Sequence, residues 1–158
     1  MMTWSNAAWW LGYIFVAIAF QSMLPGTDFF LPGLILALQE RHLSQVIFLG
    51  AVGILLQEGM GSMAFGGSLL WYAAAAILFF AGSGLLQGTG FMFVTLFGIV
   101  LSVVHYLIFS TLASLQDIPW NSSPLLHECI QQALCIPLMW LAASSTRRMV
   151  VHEDRNRQ

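Results

Sequence analysis

The sequence predicts an all-α integral membrane protein, a compact bundle of about six transmembrane helices of which two are short. Three observations predict it. Of 158 residues, 58% are hydrophobic and only 8% charged, with a mean hydropathy of +0.79; a soluble domain carries about 25% charge. Several segments approach the roughly 20 apolar residues that cross about 30 Å of hydrocarbon. The stretch Gly50 to Tyr72, GAVGILLQEGMGSMAFGGSLLWY, sets six glycines and the acid Glu58 between apolar flanks. It reads as the end of one helix, a close-packed glycine turn and the start of the next.

The length allows one polytopic domain, 1–146, followed by a basic and polar cytoplasmic tail, 147–158. Net charge is −2, with five arginines and no lysine. No basic run interleaved with aromatics is present, which sets nucleic acid aside. The N-terminus lacks a basic region ahead of its apolar run, so the first segment is expected to be retained rather than cleaved.

Segment one runs from about Ala7 to Leu24, with Trp4, Trp9 and Trp10 where an interfacial aromatic belt would sit, and ends at the turn signal Pro25-Gly26. Segments two (Phe29 to Leu38) and three (Val46 to Gln57) cover only about 15 and 18 Å at 1.5 Å per residue. Either they lengthen with polar ends or they form a re-entrant pair. The second option buries Glu40, Arg41 and His42 near mid-membrane, which is expensive without a cavity, so six spans are expected. Segments four (Leu69 to Leu86), five (Phe91 to Ala113) and six (Leu125 to Ala143) are long enough to span. Beyond Ala143 the chain turns polar and reads as solvated. With both termini in the cytoplasm, Arg41, Arg147, Arg148, Arg155 and Arg157 all fall inside, while Asp28, Glu58 and Asp117 fall outside.

Small residues let membrane helices approach closely, so Gly50, Gly53, Gly61, Gly66, Gly84 and Gly88 are candidates for packing or for docking a partner helix; Gly84 to Gly88 is a literal GxxxG. Gln57 and Glu58 stand at the outer end of segment three. Glu58 either snorkels to water or accepts hydrogen bonds from the backbone N–H groups of the glycine turn. Segment six carries a polar stripe, Glu128, Gln131 and Gln132, which with His105 forms a possible polar pocket; counting from the helix ends sets His105 level with Gln132. Interhelical hydrogen bonding is the plainer account of these residues. Pro137 is expected to kink segment six near Ala133 to Cys135. Cys129 and Cys135 point roughly 240° apart on a helix and read as free thiols. No metal-ligand spacing, nucleophile with its base, or cofactor motif occurs, so no enzyme activity, metal or cofactor is expected.

This pattern resembles the rod shape-determining protein MreD family, small multispanning proteins of the bacterial cell-elongation machinery. The likeness covers most of the chain: a first span, the short segment LPGLILAL, a glycine-rich third segment ending in an acid, a G-S-x-x-x-G turn, three further spans and a basic tail. Its local core is GILLQEGMGSMAFG, Gly53 to Gly66. Counting forward from Gly53 puts Gln57 at the family's acid position, and counting back from Gly66 puts Glu58 there. The resemblance implies a non-enzymatic scaffold of the bacterial inner membrane. Its partners would be a bitopic protein resembling MreC and, through it, the peptidoglycan synthase complex. The family's fold is similar to the substrate-binding components of vitamin transporters, which makes small-molecule binding or transport the alternative.

Overall fold

The computed structural model describes residues 4–24, 26–60, 66–85, 90–115 and 122–156. Among the described residues the chain is all-helical: α1 (Trp4–Met23), α2 (Leu31–Glu40), α3 (Leu43–Met60), α4 (Gly67–Leu85), α5 (Phe91–Leu115) and α6 (Ser122–Asn156). Gly61 and Gly88, and with them the far end of the GxxxG motif, lie outside the described residues, as does Asp117.

Helix α2 is the hub. Every residue from Leu31 to Leu38 is buried, and α2 packs against α3, α4 and α6. The remaining helices follow one another around it in the order α1, α6, α5, α4, α3, each touching the next. Ten residues cover only about 15 Å. A helix that short is compatible with a membrane interior because protein, not lipid, surrounds it from Leu31 to Leu38. Segment three behaves differently: α3 lengthens to 18 residues by adding polar ends, Ser44 and Gln45 at one and Glu58 at the other.

Among the described residues three stretches are long and apolar enough to cross a membrane: Gly67–Gly84, Phe91–Leu115 and Pro124–Val150. Their outward faces carry large exposed apolar side chains such as Ile77, Phe80, Leu107, Leu134 and Leu138, the surface a lipid-facing helix needs. Helix α1 buries a single stripe, Trp10, Tyr13 and Ala17, at helical spacing.

Helix α6 continues into the stretch expected as a polar tail. It runs without a break through Ala143 and on to Asn156, and Arg147, read as the first residue of a solvated tail, is 5% exposed. The polar composition of SSTRR does not mark solvent here, because its Ser and Thr hydroxyls bond back to carbonyls such as Leu141 and Ala142 and leave the helix continuous. The helix also runs through Pro137. Pro137 has no N–H to give to the Ala133 carbonyl one turn earlier. That carbonyl faces α5 at Gly98, where an added Cβ would lie 3.6 Å from it. Cys129 and Cys135 are free thiols.

Candidate functional site

The densest polar cluster centres on Asp28, in the connection between α1 and α2. Its Oδ1 accepts the backbone N–H groups of Phe30 and Leu31 at 2.9 and 3.1 Å. A carboxylate there satisfies donors that the start of α2 would otherwise leave open, and it sits at the positive end of the helix dipole. Trp71 and Tyr72 at the start of α4 donate to Oδ2 and Oδ1 at 3.0 and 3.1 Å, and Gln57 on α3 also donates to the carboxylate. Burial pushes the Asp28 carboxyl up from its ordinary range, and donation from Trp71, the Phe30 N–H, Gln57 and the Leu31 N–H pulls it partly back. The next residue is held as firmly: Tyr13 on α1 donates to the Phe29 carbonyl at 2.8 Å, and Gln21 accepts the Phe29 N–H at 3.3 Å.

Two glycines make this cluster possible. A Cβ on Gly53 would lie 2.5 Å from the Tyr72 hydroxyl oxygen, and one on Gly33 would collide with the Tyr13 ring. Gly53 is therefore a socket inside the fold, not an open notch. Gly50 and Gly84, by contrast, have nothing within 4 Å of an added Cβ. Asp28 itself escaped the sequence reading as a site residue. The available signal was an acid just ahead of Pro32, since Asp followed by Pro in the first turn marks a helix start.

Gln57 and Glu58, joint candidates in the sequence, take separate jobs. Gln57 turns inward to Asp28. Glu58 reaches across the glycine turn, both of its oxygens accepting the Gly66 N–H at 3.0 Å and Oε1 also accepting the Ser68 N–H at 3.0 Å. Gly66 has φ +105°, a conformation open to glycine. The carboxylate thus pins α3 to the first turn of α4.

The polar stripe of α6 is only partly gathered. Glu128 is half-buried and packs so closely on Gly26 that an added Cβ would lie 2.6 Å from its carboxyl carbon. Gln131 is half-buried and Gln132 fully buried, with no hydrogen-bond partner for either atom of the Gln132 amide. His105 lies between Trp71, edge-on at 5.0 Å, and Phe109, stacked at 4.2 Å, and its Nδ1 has no partner. The expected levels need correction. Gly98 faces Ala133 and Ile136, and the Tyr106 backbone bonds Cys129, a register that sets His105 level with the turn around Glu128, not with Gln132. Counting from segment ends failed because it assumes that the facing ends of α5 and α6 lie at one height: recounted from Leu115 and Ser122 it still sets His105 and Gln132 level, so the offset comes from the stagger between the two helices.

At the opposite end of α2, Arg147 forms a two-pronged pair with Glu40, Nε to Oε1 at 2.7 Å and Nη2 to Oε2 at 3.0 Å. Its guanidinium also lies 5.1 and 5.2 Å from the rings of Trp9 and Trp10, within cation–π range. Gln39 accepts the Trp140 indole N–H at 2.8 Å. Beside this anchor a cleft of about 520 Å³ opens between α3 and α4, floored by Leu38 and bordered by Arg41.

Among the described residues no cluster of three His, Cys, Asp or Glu side chains is placed to hold a metal. No protein-family model, curated protein or solved structure matches the chain.

Proposed function

We propose that the chain is a non-enzymatic membrane scaffold similar to MreD, which docks the transmembrane helix of a bitopic partner resembling MreC in the bacterial cell-elongation machinery. The observation that carries this reading is the division among its glycines. Gly33 and Gly53 are filled by the protein's own tyrosines, whereas Gly50 and Gly84 open outward. Gly50 lies among the exposed Ile47, Phe48 and Ala51, a small-residue notch with apolar rims of the kind that lets a second helix approach closely. Asp28, Glu40 and Glu58, meanwhile, are engaged in bracing the fold.

In this reading six spans cross the cytoplasmic membrane with both termini inside. Glu128 and Arg147 lie about 28 Å apart along α6 at 1.5 Å per residue, close to the roughly 30 Å hydrocarbon thickness. That run is long enough for α6 to span the hydrocarbon, with Glu128 toward the outer side and Arg147, paired to Glu40, toward the inner side, while α2 covers only part of the thickness. Single cysteines at Gly50 and Gly84 should crosslink to cysteines in the transmembrane helix of a co-expressed MreC-like partner, while a cysteine at the equally open Gly12 on α1 should not. Recovery of uncrosslinked monomer from all three sites would refute the docking face.

A vitamin-like solute as ligand is the second reading, favoured by the unpaired amide of Gln132 and the unpaired Nδ1 of His105. It requires a thermal shift that grows with vitamin concentration and vanishes in Gln132→Leu. A wild type without any shift, matched by Gln132→Leu, removes it.

A further inference from the structure

We infer that the cleft between α3 and α4 is a binding site for an anionic phospholipid, with an acyl chain in the cleft and the phosphate on Arg41. The walls are apolar: Leu38 from α2, Val46 from α3, and Ala76, Phe79 and Phe80 from α4. The volume of about 520 Å³ falls in the range of small-molecule sites, roughly 300–1,000 Å³. The cleft opens sideways, because Leu43 and Phe80 on its rim are 71% and 65% exposed on the same outward faces as Ile47 and Ile77. An occupant enters from the lipid phase.

Charge selects the headgroup. Arg41 sits at the C-terminal end of α2 with φ +57° and its N–H bonded to the Leu38 carbonyl. The acid beside it in sequence does not neutralise it, because Arg147 engages both oxygens of Glu40. Arg41 is exposed and forms no ion pair among the described residues, leaving its planar donors free for a phosphate. A basic residue at the mouth of an apolar cleft between helices is the arrangement that holds an anionic lipid headgroup. The site sits at the opposite end of α2 from the Asp28 cluster; it rests on the chain lying in a membrane, and because a partner helix on Gly50 and Gly84 would share its α3 and α4 rim, it is tested on the chain without a partner.

The test is thermal unfolding of the purified full chain in neutral detergent, titrated with phosphatidylglycerol or with phosphatidylcholine. Phosphatidylglycerol should raise the midpoint in a saturable way, and phosphatidylcholine should do so much less. Arg41→Gln should weaken the phosphatidylglycerol response about fivefold, the scale set by one basic residue at an anionic lipid surface, while Arg41→Lys keeps most of it. Ala76→Phe, which fills the cleft and leaves Arg41 in place, should reduce the response to both lipids; it keeps the test open if Arg41→Gln does not fold. Equal responses to the two lipids, an unchanged response in Arg41→Gln or in Ala76→Phe, or a full shift from inorganic phosphate alone would each overturn the proposal. So would crosslinking of Ser83→Cys to a second copy with loss of the lipid response, since the cleft would then be an interface between chains.

Discussion

Trp71 donates its indole N–H to the Asp28 carboxylate at 3.0 Å across 43 positions of sequence, and this bond fastens the start of the central helix to α4. Every partner of Asp28 is a donor, so the site demands two accepting oxygens. Asp28→Asn keeps one acceptor for the Phe30 and Leu31 N–H groups but sets an NH₂ against another donor, which should cost about 1–3 kcal/mol. Asp28→Ala strands every donor and should cost more. Chemical unfolding in detergent micelles ranks the two; equal stability of wild type and Asp28→Ala would show that the cluster does not hold the fold.

The same residue gives a pH dependence of defined sign. Burial raises the Asp28 carboxyl above its unfolded value, so folding takes up a proton there. Its contribution is complete below the ordinary Asp range of about 3.9 and is lost as pH climbs through the raised folded value. The stability of wild type relative to Asp28→Asn should therefore fall as pH rises from about 4. A difference that stays flat or grows with pH contradicts the burial effect.

Glycine substitutions should split in sign. Gly53→Ala drives a methyl against the Tyr72 hydroxyl, and that hydroxyl cannot retreat without giving up Asp28; overpacking of this kind costs about 1–3 kcal/mol. Tyr72→Phe in the same background should recover part of the loss, so the two changes should be less than additive. Gly98→Ala meets Ile136 at 3.4 Å, an ordinary contact, and replaces a helix-interior glycine, which gains up to about 1 kcal/mol. Unfolding midpoints of the four variants check the contrast.

What the sequence made legible was whatever composition and spacing carry. The helical class, the six apolar segments and the shortness of segment two follow from local pattern; for Glu58 the pattern offered both water and the backbone of the glycine turn, and the second is what is found. The hub was not legible. Asp28 lies in the connection between α1 and α2, with no periodicity, and its partners Gln57, Trp71 and Tyr72 belong to other helices, so nothing local links them. The glycines look alike in sequence, yet Gly53 is filled and Gly50 is open, because what faces a glycine depends on a side chain elsewhere in the chain. Arg147 was misread for the same reason. A polar run signals solvent unless a distant acid and two tryptophans enclose it.

The Glu40 and Arg147 pair yields the final prediction. The Glu40 and Arg147 side chains are 22% and 7% exposed, so both charges are partly removed from water and each depends on the other. Arg147→Met leaves Glu40 half-buried without its partner and should cost about 3–5 kcal/mol. The double change Glu40→Met with Arg147→Met removes both charges and should restore much of that stability, since an apolar pair needs no compensation. Arg147→Lys should not rescue: one ammonium cannot match two carboxylate oxygens in a fork and also spread over the rings of Trp9 and Trp10. A double-mutant cycle on detergent unfolding measures the coupling directly. A coupling near zero would mean that the Glu40 and Arg147 pair does not hold the α2 and α6 ends together.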